Sequence, residues 1–201
     1  MEQRLEIHYH LFGGTHDHHG RSRTYKTEIP SGAIAGAALT SASAAQRLVP
    51  TDPDVEGPFY KVGAPFREEI FAPGKRGTQL EISGRVLSTN GEAIRGALLD
   101  LWNANPQGIY DLQGFEFRGK VKTDSTGHYR FVTFRPPPYG NRTAHLHFKV
   151  SGQDHHPLTT ELFFKGEPKN YRDEYVRPSR VITVYTGEVH SASFDFVLVG
   201  V

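Results

Sequence analysis

Nine residues, Arg142-Thr143-Ala144-His145-Leu146-His147-Phe148-Lys149-Val150, constrain this chain more than any other stretch. Their polarity alternates with a period of two, the period of a β-strand. Ala144, Leu146, Phe148 and Val150 fall on one face, and His145, His147 and Lys149 on the other. Two imidazoles two residues apart on one strand face can converge on a metal ion. Taken alone, His-x-His favours a plainer reading, a half-buried strand showing two histidines to solvent. Tyr139 stands six residues before His145, with Arg142 between them.

Composition narrows the remaining choices. A chain of 201 residues is long enough for one sizeable core, and a formal net charge of +1 gives no sign of a nucleic-acid or anionic-membrane partner. No apolar run is long enough to span a bilayer. The absence of cysteine excludes disulfides, thiolate catalysis and Cys-based metal sites, so any metal must be held by His, Tyr, Asp or Glu. Many short apolar runs lie between turn signals, with 21 glycines and 13 prolines, and the expected architecture is all-β: an antiparallel β-sandwich with long active-site loops.

Residues 1–48 read as an N-terminal tail, poorly ordered or an oligomer contact, and residues 49–201 as the sandwich domain. His8, His10, His16, His18 and His19 crowd the tail. A solvated segment is the expectation there, with weak divalent-metal binding as the alternative. Residues 33–45 are small and mildly apolar, but they start late and follow Glu28 and Pro30. A cytoplasmic location is expected, with export as the alternative if this segment is the remnant of a signal.

Within the domain, strands are expected over residues 80–87, 97–102, 120–123, 129–134, 144–150, 159–164, 181–185 and 193–199. Asn90-Gly91 and Asp124-Ser125-Thr126-Gly127 read as hairpin turns joining the strands on either side of them. Arg135-Pro136-Pro137-Pro138-Tyr139-Gly140 is a stiff loop, because proline has no ladder donor, and it delivers Tyr139 to a fixed place. Asp100-Leu101-Trp102 runs into a Pro/Gly turn that ends at Tyr110.

Tyr110, Tyr139, His145 and His147 therefore form a candidate ligand set. Two phenolates and two neutral imidazoles suit trivalent iron better than zinc or calcium, and two tyrosinates would leave a net charge of +1 on the metal. Each residue also has a plainer role open to it. Tyr110 is suited to packing on the core, Tyr139 to capping the proline run, and Arg142 to lying on a rim. Trp102 reads as core and Tyr60 as packing, while His155 and His156 sit in an apparent turn.

The ordered motifs Gly57-Pro58-Phe59-Tyr60, Asp100-x-Trp102 through Gly108-x-Tyr110, Arg118-Gly119, Thr123-Asp124-x-x-Gly127-x-Tyr129-x-Phe131, Pro138-Tyr139, Arg142-x-x-His145-x-His147-Phe148 and Leu158-Thr159-Thr160 resemble those of the intradiol ring-cleaving dioxygenases. This family includes the catechol, hydroxyquinol and protocatechuate dioxygenases. The resemblance covers roughly residues 49–165. It implies a β-sandwich holding non-haem iron(III) through Tyr110, Tyr139, His145 and His147. The partners it implies are a catechol-type substrate and O2, and the product is a cis,cis-muconate-type diacid. It also implies that Tyr139 leaves the metal as substrate binds and takes up a catechol proton, and that Arg142 lies over the ring and stabilises developing charge. A homo-oligomer is expected as well.

The sequence departs from the family pattern in two places. Glu161 stands where members often carry glutamine; alternation puts it near the site, in a position to pair with Arg142 and take part in catalysis. The long helical dimerisation segment of catechol dioxygenases has no match. The competing reading is a catalytically silent β-sandwich module that binds a metal or ligand without turnover.

Overall fold

The computed structural model describes residues 47–201; the readings of the histidine-rich segment and of residues 33–45 fall outside them. Nine strands are present among the described residues: β1 (Gln79–Ser88), β2 (Leu98–Trp102), β3 (Arg118–Lys122), β4 (His128–Phe134), β5 (His145–Ser151), β6 (Leu158–Phe164), β7 (Val181–Ile182), β8 (His190–Ser193) and β9 (Phe196–Leu198). They form two sheets. One has the order β4-β1-β8, with β9 also pairing with β1; the other has the order β3-β2-β5-β6-β7.

Most pairings are antiparallel, as the sandwich expectation requires. The pairs β1–β8, β1–β9 and β6–β7 are parallel, so both sheets are mixed. The apolar faces meet in one core. Leu80, Ile82 and Phe131 come from the first sheet, and Leu99, Leu101, Leu146, Phe148 and Leu162 from the second. Phe196 ties the layers together, its ring centroid lying 5.0 Å from that of Phe148 and 5.5 Å from that of Tyr129.

Four local expectations are corrected. Asn90-Gly91 does turn the chain, with Ser88 N donating to Glu92 O at 2.8 Å and Ile94 N to Val86 O at 2.9 Å. The returning arm ends there, however, and β2 joins the other sheet. Asp124-Gly127 is likewise an arch between sheets, since β3 lies in the second and β4 in the first. Turn chemistry specifies a reversal; where apolar side chains on both arms must face one interior, the arms can enter opposite layers. The run expected as one strand over 193–199 is broken at Phe194-Asp195. There Phe194 O crowds Gly84 so closely that a Cβ on that glycine would lie 1.9 Å from it, and Asp195 Oδ1 accepts a bond from Arg85 N at 2.8 Å. The strand expected over 181–185 is shortened to Val181–Ile182.

The central strand β5 is covered on both faces. Leu146, Phe148 and Val150 enter the core, while His145 and His147 point the other way and are also buried, at 2% and 1% exposure. The reading of two solvated histidines therefore fails. Loops from residues 57–60, 104–110 and 139–142 cover that outer face with a second cluster of Trp102, Ala104 and Tyr110, packed by Phe59, Tyr60 and Tyr139.

The segment before β1 is fastened to the same sheet. Asp54 N donates to Thr159 O at 2.8 Å, and the Asp54 carboxylate pairs with Arg180, which follows Ser179 in a short 3-10 turn (Pro178–Arg180). The two side chains are 6% and 2% exposed. Arg180 also donates from Nη2 to Tyr175 O at 2.8 Å. Removing one member of such a pair strands the other charge in the interior, at a cost of about 3–5 kcal/mol. Asp54→Ala is expected to lose about that much in urea unfolding. Arg85→Ala, which removes the exposed pair with Asp195, should cost less than about 1 kcal/mol. Equal losses would show that burial does not set the value of the Asp54–Arg180 pair.

Candidate metal centre

The sheet register places three outward side chains side by side. Trp102 lies opposite His147 across β2–β5, and His147 lies opposite Glu161 across β5–β6. Trp102 stacks flat on the His147 ring, with centroids 4.9 Å apart and an interplanar angle of 6°. Gly57 borders the other ring edge, and a Cβ there would lie 3.4 Å from His147 Cε1. Gly57 has a φ of +72°, a conformation that also favours glycine.

The two tyrosines arrive on separate loops. Asp111 fixes the Tyr110 loop: Oδ1 accepts from Gln113 N and Gly114 N, Oδ2 accepts from Glu116 N, and the buried Arg118 donates from Nε to Asp111 O at 3.1 Å. Tyr139 closes a turn, with Arg142 N donating to Tyr139 O at 2.8 Å. Its Cβ would be 3.4 Å from a Cβ on Gly108, so the loop before Tyr110 and the proline run approach closely. Phe59 stacks on Tyr110 at 4.4 Å and meets Tyr139 edge-on at 6.4 Å.

The four candidate donors converge. Tyr110 Oη lies 3.4 Å from Tyr139 Oη, 3.4 Å from His145 Nε2 and 3.1 Å from His147 Nε2. His145 Nε2 is 3.3 Å from Tyr139 Oη and 3.1 Å from His147 Nε2. Five separations of 3.1–3.4 Å bring the four donors within reach of one ion, since transition-metal bonds to N and O run about 2.0–2.2 Å. The donor set therefore fits a metal ion. His145, His147 and Glu161 also offer three ligand-type atoms within 4.8 Å of one another. Glu161 is nevertheless placed behind His147: its Oε1 is 3.3 Å from His147 Nδ1, whereas the Nε2 of that ring faces the tyrosines.

The electrostatics agree with this geometry. Burial, assisted by Arg142, pushes His145 down to about 4, and burial holds His147 well below the ordinary imidazole value. Both rings are neutral near pH 7, the form that ligates metals. His145 Nδ1 lies 2.7 Å from Thr143 O and donates to it, which turns the Nε2 lone pair toward the cluster. Burial raises both phenols, Tyr110 more strongly, with the neighbouring Tyr139 adding to its shift. A bound cation reverses that preference, because its charge favours phenolate.

Arg142 lies between two carboxylates. Its Nη2 pairs with Glu161 Oε2 and its Nε donates to Asp173 Oδ2 at 2.9 Å, while the guanidinium sits 4.4 Å over the Tyr175 ring. Burial pushes Glu161 up to about 7, against the hydrogen bond from Arg142. Burial acts on Asp173 in the same sense, but bonds from Thr143 N and Arg142 outweigh it and hold the carboxyl below its usual range. A cavity of about 340 Å³ opens one row further along the same sheet face, lined by Tyr60, Asp100, Lys149 and Thr159 and by none of the four donors.

A dioxygenase family profile matches residues 55–200. The chain belongs to the intradiol dioxygenase family. Chlorocatechol 1,2-dioxygenase of Pseudomonas putida is 35% identical over 147 residues, which take in 61% of this chain and 56% of that relative. Protocatechuate 3,4-dioxygenase beta chain of Burkholderia cepacia is 30% identical over 186 residues, 78% of this chain and 75% of that one. Among solved structures, the dioxygenase domain of a dioxygenase–carbohydrate-binding protein fusion from Streptomyces sp. SirexAA-E superposes with a TM-score of 0.73 at 36% identity, covering 76% of this chain and all of that domain. Against catechol 1,2-dioxygenase of Acinetobacter baylyi the match takes in 48% of the relative, so the chain spans about half the length of several curated relatives.

The structure thus brings Tyr110, Tyr139, His145 and His147 together, with Arg142 and Glu161 beside them. Sequence reasoning missed Asp173, Thr143 and the stacking role of Trp102. Asp173 sits in a loop with no motif, and Thr143 acts through its backbone carbonyl, which residue type does not report. Trp102 was assigned to packing, and its opposition to His147 follows only once the β2–β5 register is known.

The depressed value of His145 has a direct test. In metal-free protein its ring should stay neutral as the pH falls, protonating only near 4. Because the unfolded ring protonates near 6.5, the contribution of His145 to stability is complete above that pH and is lost as the pH falls toward 4. Imidazole 15N shifts followed by NMR would report this, and protonation of His145 between pH 6 and 7 would refute it.

Proposed function

We propose that the chain is a non-haem iron(III) dioxygenase that cleaves a catechol-type ring between its two hydroxyl carbons to a cis,cis-muconate-type diacid. The observation carrying this reading is the convergence of Tyr110, Tyr139, His145 and His147, within 3.1–3.4 Å over the contacts given above, in a chain of the intradiol family. Two anionic oxygens and two neutral nitrogens match the preference of a trivalent iron. When bound, iron(III) supplies Lewis acidity to the two catechol oxygens and activates the ring toward dioxygen.

The protein residues divide the remaining work. Tyr110 is buried beneath Phe59 and serves as the fixed phenolate. Tyr139 is only half-buried and lies on a turn, so it is the phenolate free to swing aside and accept a catechol proton at Oη, becoming a neutral phenol. Phe59 shields both rings from water. Arg142 presents a cation held in place by Glu161 and Asp173, in a position to stabilise negative charge as it grows on the ring. Both carboxylates draw on that charge, so uncharged catechols are the favoured class over those carrying a carboxylate.

Oxygen uptake with catechol and protocatechuate, with the product identified by ultraviolet absorption and mass, tests the reading. A yellow semialdehyde product would place the cut outside the hydroxyl carbons and overturn it. His147→Ala is expected to lose iron and the tyrosinate-to-iron colour, whereas His156→Ala, altered in an exposed loop, keeps both. Iron per chain decides the matter, and equal loss in both would refute the ligand assignment. Arg142→Ala is expected to keep its iron but to lose about 10²–10³ in turnover, with a smaller change in KM. Unchanged turnover in iron-replete Arg142→Ala would reduce the arginine to a rim charge.

A further inference from the structure

His147 Nδ1 and Glu161 Oε1 are buried and each lacks a hydrogen-bond partner, and these two orphaned atoms face one another 3.3 Å apart, just outside hydrogen-bond geometry. The other carboxylate oxygen of Glu161, Oε2, is already taken by Arg142 Nη2. Glu161 is 0% exposed, so water does not compete for either oxygen. The carboxylate thus stands between two groups and faces each with one oxygen.

The donor arithmetic is restrictive. A guanidinium only donates. A metal on His147 Nε2 leaves no room for a proton there, so the neutral ring must carry its proton on Nδ1 and donate from it. The residue at position 161 must then accept on both sides at once. A carboxylate can do so. A glutamine in the same rotamer has one accepting and one donating end, and it must face either Arg142 or His147 with N–H against N–H.

We propose that Glu161 is a positioning residue for the metal centre: it fixes the proton of His147 on Nδ1, aims the Nε2 lone pair at the donor cluster and makes the imidazole a stronger ligand. The inference rests on the metal-centre reading of Tyr110, Tyr139, His145 and His147. The two histidines are then held by different acceptors, His145 by a neutral backbone carbonyl at 2.7 Å and His147 by a side-chain anion. Trp102, stacked on the His147 ring, sets the plane in which that donation occurs. Carboxylate–histidine–metal arrangements of this kind strengthen metal binding, and removing the outer partner typically costs about 10–100-fold in affinity. A more basic imidazole also favours the ferric over the ferrous state.

The test uses the full-length protein, with Glu161→Gln as the probe variant and Asp173→Asn as the control. Both substitutions take one carboxylate away from Arg142, and only Glu161 faces His147. Wild type and both variants would be stripped of metal and titrated with gallium(III), a diamagnetic stand-in for iron(III). Glu161→Gln is expected to bind gallium about 10–100-fold more weakly, while Asp173→Asn stays within a few-fold of wild type. In the gallium-loaded wild type, proton NMR should show a low-field His147 Nδ1–H resonance; it should be shifted or lost in Glu161→Gln with that of His145 unmoved. In the iron-loaded protein the ferric/ferrous midpoint should move to a more positive potential in Glu161→Gln. Equal weakening in both variants, or wild-type affinity and potential in Glu161→Gln, would overturn the proposal. Wild-type protein that binds neither gallium nor iron would overturn the metal-centre reading first, and this inference with it.

Discussion

Everything in this protein depends on β5 being buried on both faces. A central strand with an apolar inner face is ordinary for a sandwich. The cost lies on the outer face, where two imidazoles are removed from water. Loops carrying Phe59, Tyr110 and Tyr139 remove it, and in doing so they bring oxygen donors to the two nitrogens. Two of the covering side chains, Tyr110 and Tyr139, are therefore also the candidate oxygen ligands. Most buried polar atoms there are satisfied by one another, by Thr143 O and by the Glu161–Arg142–Asp173 chain, while His147 Nδ1, Glu161 Oε1 and Trp102 Nε1 are left without a partner.

That chain of charges explains how an arginine can sit beside the proposed metal centre. Alone, Arg142 would add positive charge beside the cation that the proposed function places there. Between Glu161 and Asp173 it becomes the middle of an anion–cation–anion series, and its orientation is set from both sides. The guanidinium plane is further confined by Tyr175 at 4.4 Å. Such a group needs little reorganisation when charge appears nearby, and this is what makes fixed dipoles and charges effective in low-dielectric sites.

Much of this was legible in the sequence because period-two patterning and residue chemistry are local properties. The alternation of residues 144–150, the proline run before Tyr139 and the pairing of two tyrosines with two histidines all reach the structure unchanged. What could not be read were choices between sheets. Asn90-Gly91 and Asp124-Gly127 carry the chemistry of a reversal, and nothing in either turn states whether its arms pair with each other or with opposite layers. The break at Phe194-Asp195 depends on Gly84, more than a hundred positions earlier, and such crowding leaves no local trace. Asp173 is invisible for the same reason, since its partners Thr143 and Arg142 lie thirty and thirty-one residues away.

The parallel pairing of β8 and β9 with β1 bears on how the molecule is made. On a ribosome, residues 79–88 emerge about a hundred residues ahead of the strands that complete their sheet, as the register Leu80↔His190 requires. Until residues 190–198 appear, one long edge of β1 has no β8 or β9 against it and its hydrogen-bonding groups are open to other chains. The second sheet is local by comparison, since β2, β3, β5 and β6 lie within residues 98–164 with only β4 between them, and they contain or flank the donor residues. Synthesis can thus pair β3, β2, β5 and β6 before β8 and β9 emerge, leaving closure of the other layer as a late, long-range step.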